Sequence, residues 1–241
     1  MRPFLTLHDP TSAQRFYGQG LWTRDTFYGL MAEHAKRRHA APAIRDGQIR
    51  LTWGEAIEQV DAIAADFRDK GLIAGDIVSL WVSNKLMGVL VFIACSREGI
   101  ACNPSLHRTQ TCLEVIELLR QLDVAAFITE TGWGADREDC DLDVMLAELP
   151  SLKAVYDLDN MPSPGTVPTT EPSTDPDAIS YLAFTSGTTG TPKCVMHSAN
   201  TLMANARDMV RYWALSDHQK ILSLSPLSHH IAWVGVAQWL V

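Results

Sequence analysis

The sequence predicts an α/β protein with sheets flanked by helices. Short apolar runs rich in branched residues, "DIVSLWV" (76–82), "IACNP" (100–104) and "VAAFIT" (124–129), read as buried strands. Helix-length segments separate them, the arrangement of parallel strands joined by crossovers. The 241 residues, 46% hydrophobic and 20% charged, supply a core and exclude a disordered chain.

The elements follow in order. Residues 25–40 form a helix with Phe27, Leu30, Met31 and Ala35 on one side and Asp25 as N-cap. "PAIRDGQIRLTW" turns as a hairpin around Asp46-Gly47. Thr52, with Glu55 three residues on, makes a capping box for the helix 53–70, and Gly71 stops it. "NKLMGVLVFIACSREG" is apolar almost all round and so a buried helix. "TQTCLEVIELLRQL" is a further helix between strands. Residues 157–178 hold five of the 12 prolines and read as a linker or surface loop. It separates a first α/β lobe (1–156) from the start of a second (179–241). In that second part a strand (179–184), a polar loop, a strand (194–197) and a helix from Ser198 to about Trp213 are expected. Leu202, Ala206, Met209, Val210 and Trp213 form the helix's buried stripe. "KILSLSPLSHH" reads as strand then loop, and "IAWVGVAQWLV" is apolar with no stop signal.

The net charge of −8 excludes a general nucleic-acid surface, since phosphate backbones need a basic field. The five cysteines form no CxxC pair, so neither a zinc cage nor a disulfide framework is expected, and reduced thiols fit a cytoplasmic chain. The N-terminus lacks a signal peptide's apolar run, and "LMGVLVFIAC" is about half a membrane span. No membrane span is expected; a homo-oligomer is left open.

The chemistry gathers in "TSGTTGTPK", 185–193, with five hydroxyls, two glycines, one lysine and no acid. The glycines allow a tight turn, whose successive N–H groups make an anion-binding nest. Hydroxyls add donors without negative charge, and Lys193 adds a mobile cation. Together they suit a polyphosphate. The glycine spacing and Pro192 before Lys193 exclude a Walker A loop, and a strand, not a helix, should follow. The bland alternative is a flexible polar hairpin.

"FTSGTTGTPK" closely resembles the signature of the adenylate-forming (AMP-binding) superfamily, which includes acyl- and aryl-CoA synthetases, beetle luciferases and the adenylation domains of peptide synthetases. "ACSREGIACNPSL" resembles the family's Arg-x-Gly-x-x-x-x-Pro turn, and "SPLSHHIAW" its Pro-x-x-His segment; the likeness runs from about Phe27 to Trp239. It implies the N-terminal part of such an enzyme's large domain, with an incomplete second lobe and no C-terminal domain. It also implies a two-step reaction: a carboxylic acid and Mg·ATP give an acyl-adenylate, and coenzyme A takes the acyl group. By resemblance Thr185, Ser186, Gly187, Thr188, Thr189, Gly190, Thr191 and Lys193 hold phosphates, while His229, His230 and Trp233 are substrate-binding candidates. Trp233 and Trp239 are read from the residues alone as core. Adjacent in the chain, His229 and His230 should point apart and share no metal; His197 and His218 are read as structural. No residue is assigned as catalytic or as a metal ligand.

Cys194 stands where the family has glycine, and it strains the chain only if φ is positive there. The family's Tyr-Gly-x-Thr-Glu and Thr-Gly-Asp stretches and late lysine do not occur in the 241 residues, so the chain is expected to be a portion of a larger ligase and inactive alone. No acid occurs from Ile221 to Val241, which favours a plain carboxylic acid over an amino acid. The alternatives are a truncated, non-catalytic paralogue acting as an interaction module, and an unrelated nucleotide-binding protein with a similar loop.

Overall fold

The computed structural model describes residues 4, 6, 8–47, 49–185 and 192–241. Along the chain run α1 (Pro10–Gly18), α2 (Phe27–Arg38), β1 (Pro42–Arg45), β2 (Arg50–Thr52), α3 (Trp53–Asp69), β3 (Ile77–Trp81), α4 (Leu86–Glu98), β4 (Ala101–Asn103), α5 (Cys112–Leu122), β5 (Ala126–Thr129), α6 (Leu142–Leu146), β6 (Ala154–Asp157), β7 (Ile179–Thr185), β8 (Lys193–Ser198), α7 (Ala199–Tyr212) and α8 (His230–Leu240). β1 and β2 make the expected hairpin. The main sheet has the order β6-β5-β3-β4-β7-β8, parallel except for β8, which runs back against β7.

Alternation along the strands builds two cores. Val78, Leu80, Cys102, Ala126, Ile128, Tyr181 and Ala183 point to one face, packed by α2, α3, α4, α7 and α8. Ile77, Trp81, Ala101, Phe127 and Leu182 point to the other, covered by α5 and α6. This is period-2 geometry with both faces buried, and it explains why these strands read as continuous apolar runs.

Right-handed crossovers account for the two layers. The chain steps from β3 through α4 to β4 in one direction, then returns through α5 to β5 on β3's far side. The direction of winding thus reverses between β3 and β5. Ligands of open α/β sheets bind in the crevice that such a reversal opens at the carboxyl ends of the strands.

The capping box at Thr52 forms as expected, with Thr52 N donating to Glu55 Oε2 and Glu55 N to Thr52 Oγ1. α4 stops at Gly99, whose φ of 67° lies in the left-handed region that glycine enters without strain. Beside it, the buried Arg97 reaches Asp61 (3.0 Å), Glu98 (2.6 Å) and the carbonyl of Thr170 (3.0 Å). Glu98 also pairs with Arg68. This ion network ties the proline-rich segment 157–178 to α3 and α4.

Several expectations are corrected. Thr26, not Asp25, caps α2, because its hydroxyl accepts from Gly29 N. α1, α6 and β6 carry too little periodicity in their short spans to be read from sequence. The boundary at 157–178 does not divide the sheet, since β7 pairs with β4. Trp213 ends α7 as its C-cap and is 53% exposed, while Met203 fills the buried stripe. Residues 220–225 form no strand; Leu222 and Leu224 stand exposed. Cys112 and Cys140 form a disulfide, where reduced thiols were expected. Their 28-residue separation hides a meeting that folding produces when the loop before α6 crosses the start of α5. Among the described residues no helix is long and apolar enough to cross a membrane.

Candidate functional site

The polar loop leaves the sheet at the carboxyl end of β7. Thr185 and Lys193 form the last pair of the β7–β8 ladder, and Thr185 Oγ1 donates to Lys193 O at 3.4 Å. Both side chains are exposed, and Lys193 makes no ion pair with another described residue. Ser186, Gly187, Thr188, Thr189, Gly190 and Thr191 lie outside the described residues. The loop is followed by strand β8 and not by a helix, as expected.

A buried relay fixes where the loop begins. Phe184 N donates to Ser105 Oγ (2.8 Å), and Ser105 Oγ donates to Asn103 Oδ1 (2.7 Å). Asn103 Nδ2 donates in turn to Ser79 Oγ (3.2 Å). Ser79, Asn103 and Ser105 are buried, and the relay satisfies them. It crosses β3, β4 and the end of β7. Sequence reasoning missed it; the available signal was asparagine and serine flanking Pro104 at the end of an apolar strand.

Cys194 pairs with Phe184 inside the ladder, and its backbone does not adopt positive φ. The cysteine in place of glycine therefore costs no strain. Its sulfur packs against the α5-side core, and burial pushes the thiol up to about 11, so it stays protonated and unreactive.

Over the carboxyl ends of β3 and β4 lies the segment 225–229. Asn84, just past β3, donates from Nδ2 to Ser225 O (3.0 Å) and accepts at Oδ1 from Leu227 N (2.7 Å). His107, just past β4, reaches Ser228 Oγ through Nδ1 (3.0 Å), and its ring lies 4.7 Å from that of His229. His229 is the exposed N-cap residue of α8 and makes no side-chain cap there. His230 turns the other way, stacking on His197 at 4.9 Å and meeting Tyr181 edge-on. The two neighbours thus point apart, as expected.

Burial lowers the affinity of His107, His197 and His230 for a proton; a neighbouring histidine adds to this at His107 and His197. These rings are neutral near pH 7 and can both donate and accept. Trp233 is fully buried against Phe92 and Tyr181, and its Nε1 donates to Leu227 O. It is a core residue that anchors the segment from behind, as the reading from the residues alone expects. The structure thus brings Thr185, Lys193 and His229 to the carboxyl edge and sets His230 beside β8. Among the described residues one group has metal-ligand spacing, Cys112, Asp136 and Cys140, and its two sulfurs are bonded to each other.

These features define a class: an α/β protein with a mostly parallel sheet, whose hydroxyl-, glycine- and lysine-bearing loop leaves at the carboxyl end of β7. The chain belongs to the family described as AMP-binding enzyme, whose sequence signature matches residues 31–241. It is 25% identical over 221 residues to a 4-chlorobenzoate–CoA ligase from Arthrobacter sp., covering 88% of this chain and 41% of the ligase. It is 26% identical over 220 residues to malformin synthetase mlfA from Aspergillus neoniger, covering 87% of this chain and 4% of that protein. The chain thus spans less than half the length of both relatives. Its fold matches ATP-bound MatB from Rhodopseudomonas palustris with a TM-score of 0.75 at 19% identity, over 89% of this chain and 43% of that one. It matches the N-terminal domain of FACL13 from Mycobacterium tuberculosis with a TM-score of 0.75 at 17% identity, over 89% and 55%.

Proposed function

We propose that the chain is the N-terminal portion of an ATP-dependent acid–thiol ligase, of the acyl-CoA synthetase kind, acting on a carboxylic acid. The observation that carries this reading is that Thr185 and Lys193 stand at the same carboxyl edge of the sheet as the segment 225–229. Phosphates and acid would there meet at one sheet edge.

In this reading the acid's carboxylate oxygen attacks the α-phosphorus of ATP and displaces pyrophosphate. Lys193 and the loop from Thr185 to Thr191 hold the departing phosphates, and the lysine offsets charge that builds on them. Mg2+ would enter as the counter-ion of ATP. The thiol of coenzyme A then attacks the acyl carbon and releases AMP. His229, exposed at the carboxyl edge, would face the acid.

The test, made on the full-length protein that contains this chain, is carboxylate-dependent exchange of pyrophosphate into ATP across a panel of aliphatic, cyclic and aromatic acids, followed by thioester formation with coenzyme A. Exchange with a plain acid and a coenzyme A thioester supports the reading. Exchange with amino acids alone would move the protein to the adenylation-domain reading, which the absence of acidic residues from Ile221 to Val241 disfavours. A non-catalytic interaction role is favoured by the exposed Tyr212, Trp213, Leu222 and Leu224. It predicts no exchange and a stable complex instead.

A further inference from the structure

The exposed His229 has an unusually well-held neighbour. His107 carries three backbone hydrogen bonds: its N–H donates to Gln110 Oε1 (2.6 Å), and its carbonyl accepts from Trp81 Nε1 (2.9 Å) and Gln110 N (3.1 Å). Trp81 is fully buried at the end of β3, and Gly134 lies so close to its indole that a Cβ would fall 2.5 Å from it. His107 is therefore a fixed post on the rigid part of the sheet. From that post the imidazole touches two consecutive residues of the segment 225–229, Ser228 through Nδ1 and His229 ring to ring. Asn84 holds Ser225 and Leu227 from the β3 side. The segment is thus clamped from the ends of both β3 and β4, its backbone by Asn84 and its side chains by His107.

We propose that His107 is a positioning residue that sets the orientation of Ser228 and His229 and thereby the fit of the carboxylic acid. This rests on the proposed function for the identity of the ligand, and on geometry alone for the coupling of the three side chains. Among the described residues His107 bonds to neither Thr185 nor Lys193, and the proposal puts its effect on the acid and not on ATP. A ring held at one nitrogen by a hydroxyl, on a backbone that cannot drift, is what a precise acid-facing histidine needs as support.

The test uses His107→Ala and His107→Asn, since an asparagine amide can replace the Nδ1 contact to Ser228 without the ring. The first readout is the His229 ring resonance in a 1H–13C spectrum, assigned by its loss in His229→Gln. It should shift and broaden in His107→Ala, and His107→Asn should restore its sharpness with the thermal midpoint unchanged. The second is exchange kinetics of the full-length protein: in His107→Ala the KM for the acid should rise about tenfold, the loss of one hydrogen bond to an ordered group. The KM for ATP and kcat should stay within about twofold, and His107→Asn should recover most of the acid's KM. An unchanged His229 resonance overturns the proposal whatever the kinetics show. Equal rises in the KM of acid and ATP also overturn it, by showing a general structural role. A moved resonance in a protein that catalyses no exchange with any acid would leave the positioning intact and defeat the functional reading instead.

Discussion

At the scale of residues, two cations stand in opposite environments. Lys193 is exposed and makes no ion pair with a described residue, while Arg97 is buried and saturated with partners. The energetics differ accordingly. Arg97→Leu removes the partner shared by Asp61 and the buried Glu98 and leaves Thr170 O without its donor. Breaking a buried ion pair from one side costs about 3–5 kcal/mol. Denaturant unfolding of Arg97→Leu should show a loss near that size; a loss under about 1 kcal/mol would mean that Arg68 alone satisfies Glu98. The motif residues were legible because glycine, hydroxyls and lysine in one loop state a chemistry. Asn84, Asn103, Ser105 and His107 were not, because each matters through a partner far away in sequence: Ser225 and Leu227, Ser79, Phe184, and Ser228.

At the scale of elements, legibility followed local signals. Helix α3 was readable to its cap, since Thr52 and Glu55 write a capping box within four residues. Strands β3, β4 and β5 were readable from apolar runs bounded by turn residues. Residues 220–225 were misread because the alternation of Ile221, Leu222 and Leu224 matches a strand, while no neighbouring strand supplies hydrogen bonds. The pairing of Cys112 with Cys140 was invisible for a related reason: only the packing of the pre-α6 loop on α5 brings the sulfurs together. Closing a loop of this size stabilises the folded state by about 3–4 kcal/mol in the chain-entropy account. The double variant Cys112→Ser, Cys140→Ser should lose stability of that order in urea, matching the wild type under reductant. Equal stability of oxidised and reduced wild type would show that the bridge constrains nothing.

At the scale of the whole molecule, one sheet with two buried faces carries the site on its carboxyl edge. The histidines give this fold a pH dependence of definite sign. Burial lowers the proton affinity of His34, His107, His197 and His230 below the ordinary value of 6.5. Below pH 6.5 the unfolded chain therefore takes up protons that the folded chain refuses, and stability falls as pH falls. The carboxyl of Glu55, held low by its bonds to Thr52, acts in the same direction at more acid pH. The urea midpoint should be lower at pH 5.5 than at pH 7.5, and a midpoint that rises on acidification would show that the histidine environments are misassigned. The α/β class, the strand-after-loop order and the opposite facing of His229 and His230 were all readable before the structure. The switch point was not, because strand order is a property of the sheet.

The most direct measurement of the central claim is a backbone amide 1H–15N map of the 241-residue chain titrated with Mg·ATP. The account predicts shifts concentrated at Phe184, Thr185 and Lys193 and at the carboxyl ends of β3 and β4, weakened in Lys193→Ala. Shifts confined to another surface, or a titration that Lys193→Ala leaves unaltered, would contradict it.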